Sequence, residues 1–184
     1  MNKENNIILG IIFMTLAMFC LSVNDVLVKG LSSAYPIWEV IFFRALSGFI
    51  ISVVLVVVFG WQTLKTKKPL GHSIRAFSAV ACVVFYFFGL KYLMLSENVA
   101  IVHSAPILAT LLAIPILGEK LGLHRIVAVV LGFIGVLIIV KPGSDLFKIE
   151  SLFPLAAAFF MAVGYLSTRF LMSTESSVAI IFYY

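Results

Sequence analysis

Charge is what this sequence has least of. Asp, Glu, Lys and Arg make up 11% of its 184 residues, and only eight side chains are acidic. So few charges cannot clothe a water-soluble globular domain, which makes lipid the expected solvent. Cysteine is nearly as scarce. Cys20 and Cys82 stand singly inside apolar runs, with no CxxC and no neighbouring histidine cluster, which argues against a disulfide or a metal site. The histidines are scattered and neither HExxH nor GxSxG occurs, so a membrane-embedded enzyme is not expected, nor is a cofactor. The net charge of +5 comes from basic residues spread between apolar runs. They form no stripe, so nucleic acid is not an expected partner. Small residues of the kind that precede a processing site are also missing before Cys20, where Ala17-Met18-Phe19 is too bulky. The first apolar run therefore reads as a retained span.

What is abundant is apolar: 62% of the residues, with mean hydropathy +1.16. The expected class is all-α, a polytopic membrane helix bundle with lipid as its surroundings. Six runs are long enough to span, at roughly 7–28, 37–61, 74–90, 99–117, 126–140 and 152–172, and a seventh begins at 178–184. A hydrocarbon core about 30 Å thick needs about 20 residues of helix. Runs this continuous must be helices, because backbone exposed to lipid has to satisfy its own hydrogen bonds. An outer-membrane barrel would alternate instead.

The first two runs meet at a turn near Ser33-Ala34 and carry polar groups on both arms. The position numbers of Asp25 and Arg44 have nearly the same sum as those of Lys29 and Glu39. In an antiparallel hairpin each pair then sits at one depth, and two opposite-charge pairs are expected to face each other. Arg44 lies roughly 12 Å past Pro36 at 1.5 Å per residue. An ionisable group at that depth costs at least about 2.5 kcal/mol and marks a candidate functional site, with a structural ion pair as the alternative. Trp38 and Tyr35 at one end and Trp61 at the other suit interfacial anchoring.

The fourth run holds His103 followed by Pro106, which has no amide hydrogen to donate. The carbonyl one turn earlier, at Val102, is then freed and the helix bends. Kinked spans are where transporters place substrate groups. Lys91 and Glu97 flank the turn before this run and are expected to be structural. Gly118 suits a helix-ending turn, and Glu119 can accept backbone donors at the next helix start. The fifth run has no charge, and Gly132 and Gly135 are expected to form a small face for close packing. In Phe85-Tyr86-Phe87-Phe88, the member able to reach a polar ligand is Tyr86.

Placing the N-terminus in the cytoplasm puts eight basic residues inside (Lys3, Lys65, Lys67, Lys68, Arg75, Lys120, Arg125 and Arg169) and four outside (Lys29, Lys91, Lys141 and Lys148). That bias favours an inside N-terminus. Shifted by 140 positions, the chain begins to match itself: Ile41-Phe42-Phe43-Arg44 falls on Ile181-Phe182-Tyr183-Tyr184, and Lys29 on Arg169. A first unit over 1–148 and the opening of a second over 149–184 are expected. Five spans in the first unit invert the second. On this reading the second unit stops in its second helix, as in a truncated or fragment form.

Four stretches, LSVNDVLVKGLSSAYP, IFFRA, SENVAIVHSAPILATLLAIPILGEKL and GFIGVLIIVKPG, taken in their order and spacing, resemble the drug/metabolite transporter superfamily in its EamA-type family. The resemblance covers one unit at about 7–141 and the start of another. It implies ten helices in two inverted repeats, both ends cytoplasmic, and alternating-access movement of small metabolites across the cytoplasmic membrane. The IFFR run is most similar to the branch of S-adenosylmethionine uptake transporters. The expected activity is secondary transport of a small-molecule metabolite. Asn24, Asp25, Arg44, Tyr86 and His103 are expected to line the pathway, with Asp25 or His103 carrying a coupling proton. The alternatives are a non-transporting membrane partner and a half-transporter that dimerises.

Overall fold

The computed structural model describes residues 3–31, 34–118, 122–140 and 148–184, with side chains from residue 8 onward apart from those of residues 117 and 140. Among them every regular element is helical. The elements are α1 (Lys3–Leu31), α2 (Ile37–Phe59), α3 (Pro69–Tyr92), α4 (Leu95–Val102), α5 (Ala105–Leu117), α6 (Leu123–Val140), α7 (Leu152–Leu171) and α8 (Ser177–Phe182). Short 3-10 turns at Trp61–Leu64 and Ile149–Ser151 lead into α3 and α7. Five stretches are long and apolar enough to cross a membrane: α1, α2, α3, α4 with α5, and α7 with its leading turn. The shorter apolar helix α6 is the sixth expected span. Glu119 and Ser33 lie outside the described residues.

The ends of these helices follow local chemistry. Pro69 opens α3, where its missing N–H costs nothing, because the first turn of a helix leaves its amides unpaired anyway. The α3 helix thus starts before the apolar run that betrays it. Gly60 ends α2 at φ 90° and Gly118 ends α5 at φ 66°. Both are left-handed conformations that a side chain would strain. The fourth span is two helices. His103 and Ser104 interrupt it, and Pro106 sits in the first turn of α5, so the Val102 carbonyl cannot receive the bond that a continuous helix would give it.

The packed body is α3 against α7. Phe77 and Phe85 of α3 meet Phe160, while Phe88 and Tyr92 meet Phe153. Between these ring contacts α7 presents the fully buried Ala157, Ala158 and Ala162. Small side chains let membrane helices approach closely, where van der Waals packing replaces the hydrophobic drive that lipid removes. Gly89 serves the same end on α3: a Cβ there would lie 1.9 Å from Asn98 Oδ1 and 3.2 Å from Pro154 Cδ. On α6, a Cβ at Gly132 would meet Ile107 of α5 at 2.3 Å, whereas Gly135 faces open space. Of the two, only Gly132 is a close-packing position.

The first two helices are held differently. Among the described residues the α1 helix packs on α4, and α2 packs on α3 and α8, more than α1 and α2 pack on each other. Val28 of α1 and Ile37 of α2 join Phe87 and Leu90 of α3 in one buried cluster. The expected two-helix hairpin is therefore a three-helix arrangement, with α3 packed against both arms at this cluster.

Candidate functional site

The level of Tyr86 on α3 is where the polar groups converge. Asp25 of α1 and Arg44 of α2 both lie near enough to the Tyr86 side chain to act on it electrostatically. The Arg44 guanidinium sits 5.4 Å from the centroid of the Phe87 ring, a cation–π distance. Arg44 also acts on Cys82, one turn below Tyr86. Asp25 and Arg44 are thus brought to one level, as their depths require. Among the described residues, however, no ion pair joins them. Depth fixes height but not direction around a helix axis, and α3 supplies the partners of both.

Asp25 has a second neighbourhood. With Ser22, Leu95, Ser96, Val99 and His103 it lines a cleft of about 490 Å³ between α1 and α4. His103 is exposed there at the break in the fourth span. Next to it Ser104 is buried, and its hydroxyl meets no hydrogen-bond partner among the described residues. Sequence reasoning passed over Ser104, whose place in the break was not predictable from Pro106 alone. Asn24 is half-buried and lines neither this cleft nor the cavity described below.

The groups expected to be structural take partners of their own. Lys29 Nζ donates to the carbonyls of Leu90 and Leu93, at 2.8 Å for Leu93. It caps the last turn of α3 and makes no ion pair with Glu39 among the described residues, so that expected pair is replaced by a helix cap. Glu39 is exposed in the first turn of α2, where a negative charge complements the helix dipole. Glu97 Oε2 accepts from the Met94 amide and pairs with Lys148 Nζ, both at 3.4 Å. Lys91 is exposed, with its ammonium 5.5 Å from the Tyr92 ring centroid.

The opposite end of α3 carries a cluster that sequence reading missed. Arg75 Nε donates to Thr168 Oγ1 at 2.7 Å and Nη1 to the Ile180 carbonyl at 2.6 Å. Ser176 and Tyr183 donate to the carbonyls of Thr63 and Leu64. Glu175, 2% exposed at its side chain, lies 3.7 Å from the buried His72 ring and accepts from the Lys67 amide at 3.0 Å. Burial pushes the Glu175 carboxyl upward. The hydrogen bonds from Lys67 and Thr66, with the nearby His72, outweigh that and hold it below its ordinary value. Arg75 had been read only as a topology charge, and nothing in its spacing pointed to α7 and α8.

Among the described residues no group of three or more His, Cys, Asp or Glu could hold a metal ion. Of the expected site residues, Asp25 and His103 line one cleft, and Tyr86 and Arg44 do not line it.

Over 31% identity the chain is similar to an S-adenosylmethionine uptake transporter of Rickettsia bellii (strain RML369-C), aligning 95% of its own length with 60% of that protein. It is 35% identical over 66% of its length to 41% of a riboflavin transporter of Vibrio cholerae. It is 27% identical over 95% to 62% of the pseudopaline exporter CntI of Pseudomonas aeruginosa. The chain thus spans about three-fifths of the length of the S-adenosylmethionine relatives it matches. No solved structure matches it. The model of the EamA-like transporter family matches residues 8–141, and this multi-pass membrane chain belongs to that family.

Proposed function

We propose that the chain serves secondary transport of a small metabolite across the cytoplasmic membrane by alternating access, with its N-terminus in the cytoplasm. One observation carries the reading. Asp25 is shared between the Tyr86–Arg44 neighbourhood and the cleft it lines with His103. An ionisable group at that depth is retained when it binds or moves something charged, and a broken helix beside it frees backbone groups for the same purpose. Arg44 would hold a substrate carboxylate, Asp25 a cationic group, and Tyr86 an apolar or flat body. A zwitterionic, amino-acid-like metabolite meets all three. S-adenosylmethionine or a relative of it has that chemistry, and the relatives' names favour it. Asp25 or His103 is the candidate carrier of a coupling proton.

An inverted repeat supports alternating access. The helix ends recur at the offset that aligns the sequence with itself: α1 ends at Leu31 and α7 at Leu171, while α2 begins at Ile37 and α8 at Ser177. Helix boundaries are set by turn chemistry, so this agreement is independent of the apolar matches. The test is a metabolite screen, headed by S-adenosylmethionine, in vesicles carrying the complete gene product with and without a pH gradient. Arg44→Ala should abolish movement of the substrate so found while inserting normally. Parental transport by that variant would reduce Arg44 to a packing role.

A further inference from the structure

The lower half of α3 carries a second cavity, of about 300 Å³, between α3 and α7. Arg75, Ser78, Cys82, Gly164, Tyr165 and Tyr184 are among its lining residues. Arg75, Ser78, Cys82 and Tyr86 recur at helical spacing, so one face of α3 runs from this cavity to the Asp25–Arg44 level. A guanidinium has five N–H donors, and Arg75 spends two on the neutral acceptors Thr168 and Ile180. The rest meet no acceptor among the described residues, and no carboxylate there lies within ion-pair distance of Arg75. The carboxylate of Glu175 accepts from the Lys67 amide and lies 3.7 Å from His72 Nε2. The Tyr184 ring lies 4.6 Å from the guanidinium carbon. A half-buried cation with spare, fork-shaped donors and aromatic walls is built for a planar oxyanion attached to an apolar body.

We propose that this cavity binds the oxyanion, carboxylate or phosphate, of a small amphiphilic molecule, with Arg75 as the residue that holds it. Tyr165 and Tyr184 stand 140 positions after Asp25 and Arg44. At the repeat offset, the charged pair of one unit corresponds to an aromatic pair in the other, and α3 supplies the missing cation. As a second station on a transport path the cavity rests on the transporter reading; as an anion site it does not.

Cys82 lines the cavity and reports on it. The chain carrying Cys20→Ser is placed in phosphatidylcholine nanodiscs and treated with methanethiosulfonates bearing either a sulfonate or a trimethylammonium group. The thiolate attacks the reagent sulfur, forms a mixed disulfide and releases methanesulfinate. The anionic reagent should react faster, by roughly tenfold given the field of a cation-lined cleft. Benzoate should protect Cys82 and benzamide should not. Arg75→Gln keeps an amide able to donate to Thr168 or Ile180, and should remove both the preference and the protection; Arg75→Lys should keep the preference. Gly164→Leu, whose new side chain enters open space, should block benzoate with Arg75 intact. Arg44→Gln should leave benzoate protection in place.

Protection that survives Arg75→Gln, protection lost in Arg44→Gln, or a Cys82 inert to both reagents would overturn the assignment. Phosphatidylglycerol nanodiscs separate the sources of the oxyanion. A preference quenched by that lipid, with no benzoate protection in either membrane, would make Arg75 a headgroup contact and overturn the small-molecule site. None of these readouts needs transport, so their failure leaves the transporter reading standing, and a failed transport assay leaves the anion site standing.

Discussion

The α1 and α2 helices hold the charges, while α3 and α7 hold the fold. In the most apolar window of α1, 6% of the residues are buried, and in α2 11%; the corresponding share in α7 is 33%. Asp25 and Arg44 ride on the lightly packed pair, and the rings, alanines and Gly89 that fill the interior belong to α3, α4 and α7. A carrier has to keep one part rigid while another changes its contacts, and packed interiors are bistable instead of continuously deformable. On the proposed transport reading, recognition groups placed where burial is least, against a better-packed helix, can change partners without dismantling the core.

The comparison can be broken most sharply by substitutions on its two sides. Asp25→Asn keeps the side-chain shape and removes the charge. Transport should fall by roughly ten- to a hundredfold, the worth of a charged hydrogen bond in rate or affinity, while thermal stability in detergent changes little. On the packed side, Gly89→Ala should do the reverse. Its Cβ drives Asn98 away from the Tyr86 carbonyl, to which Asn98 Nδ2 now donates at 3.3 Å. A loss of about 1–3 kcal/mol is expected by thermal or denaturant unfolding. Gly48→Ala in α2, where a Cβ meets nothing within 4 Å, should be neutral or slightly stabilising.

Lys29→Met tests the seam between the two regions. It strips the last turn of α3 of a charged donor and should cost about 1–2 kcal/mol, with loss of order at residues 90–93 in hydrogen exchange. The smallest effect concerns pH. Because the Glu175 carboxyl is held below its ordinary value of 4.5, its contribution is present above that value and lost as pH falls through the lower folded value. Unfolding midpoints compared at pH 7 and below pH 4 should therefore differ less in Glu175→Gln than in the parent.

Much of this was legible in the residues. Apolar run length fixes the spans, because lipid thickness sets helix length. Pro106 announces a break and Gly118 a helix end, since each acts through its own backbone. What was not legible is azimuth. Asp25 and Arg44 both come near Tyr86, but nothing in the two helices says that they would share a neighbour on α3. The same gap explains Lys29, which caps α3 in place of pairing with Glu39, while Gly135 shares a face with Gly132 but has no neighbour that a Cβ would meet. Arg75 was hidden for another reason: a basic residue near a span end satisfies the topology rule so well that no further role is sought. Its partners lie on α7 and α8, far away in sequence.

The arrangement around Tyr86 is tested most directly by a double-mutant cycle on unfolding stability with Asp25→Asn, Tyr86→Phe and the two combined. Direct contact across the α1–α3 boundary predicts a coupling of about 0.5–3 kcal/mol, with the double variant losing less than the two single losses together. Simple addition of the two single effects would contradict it and return Asp25 to a partner on α2.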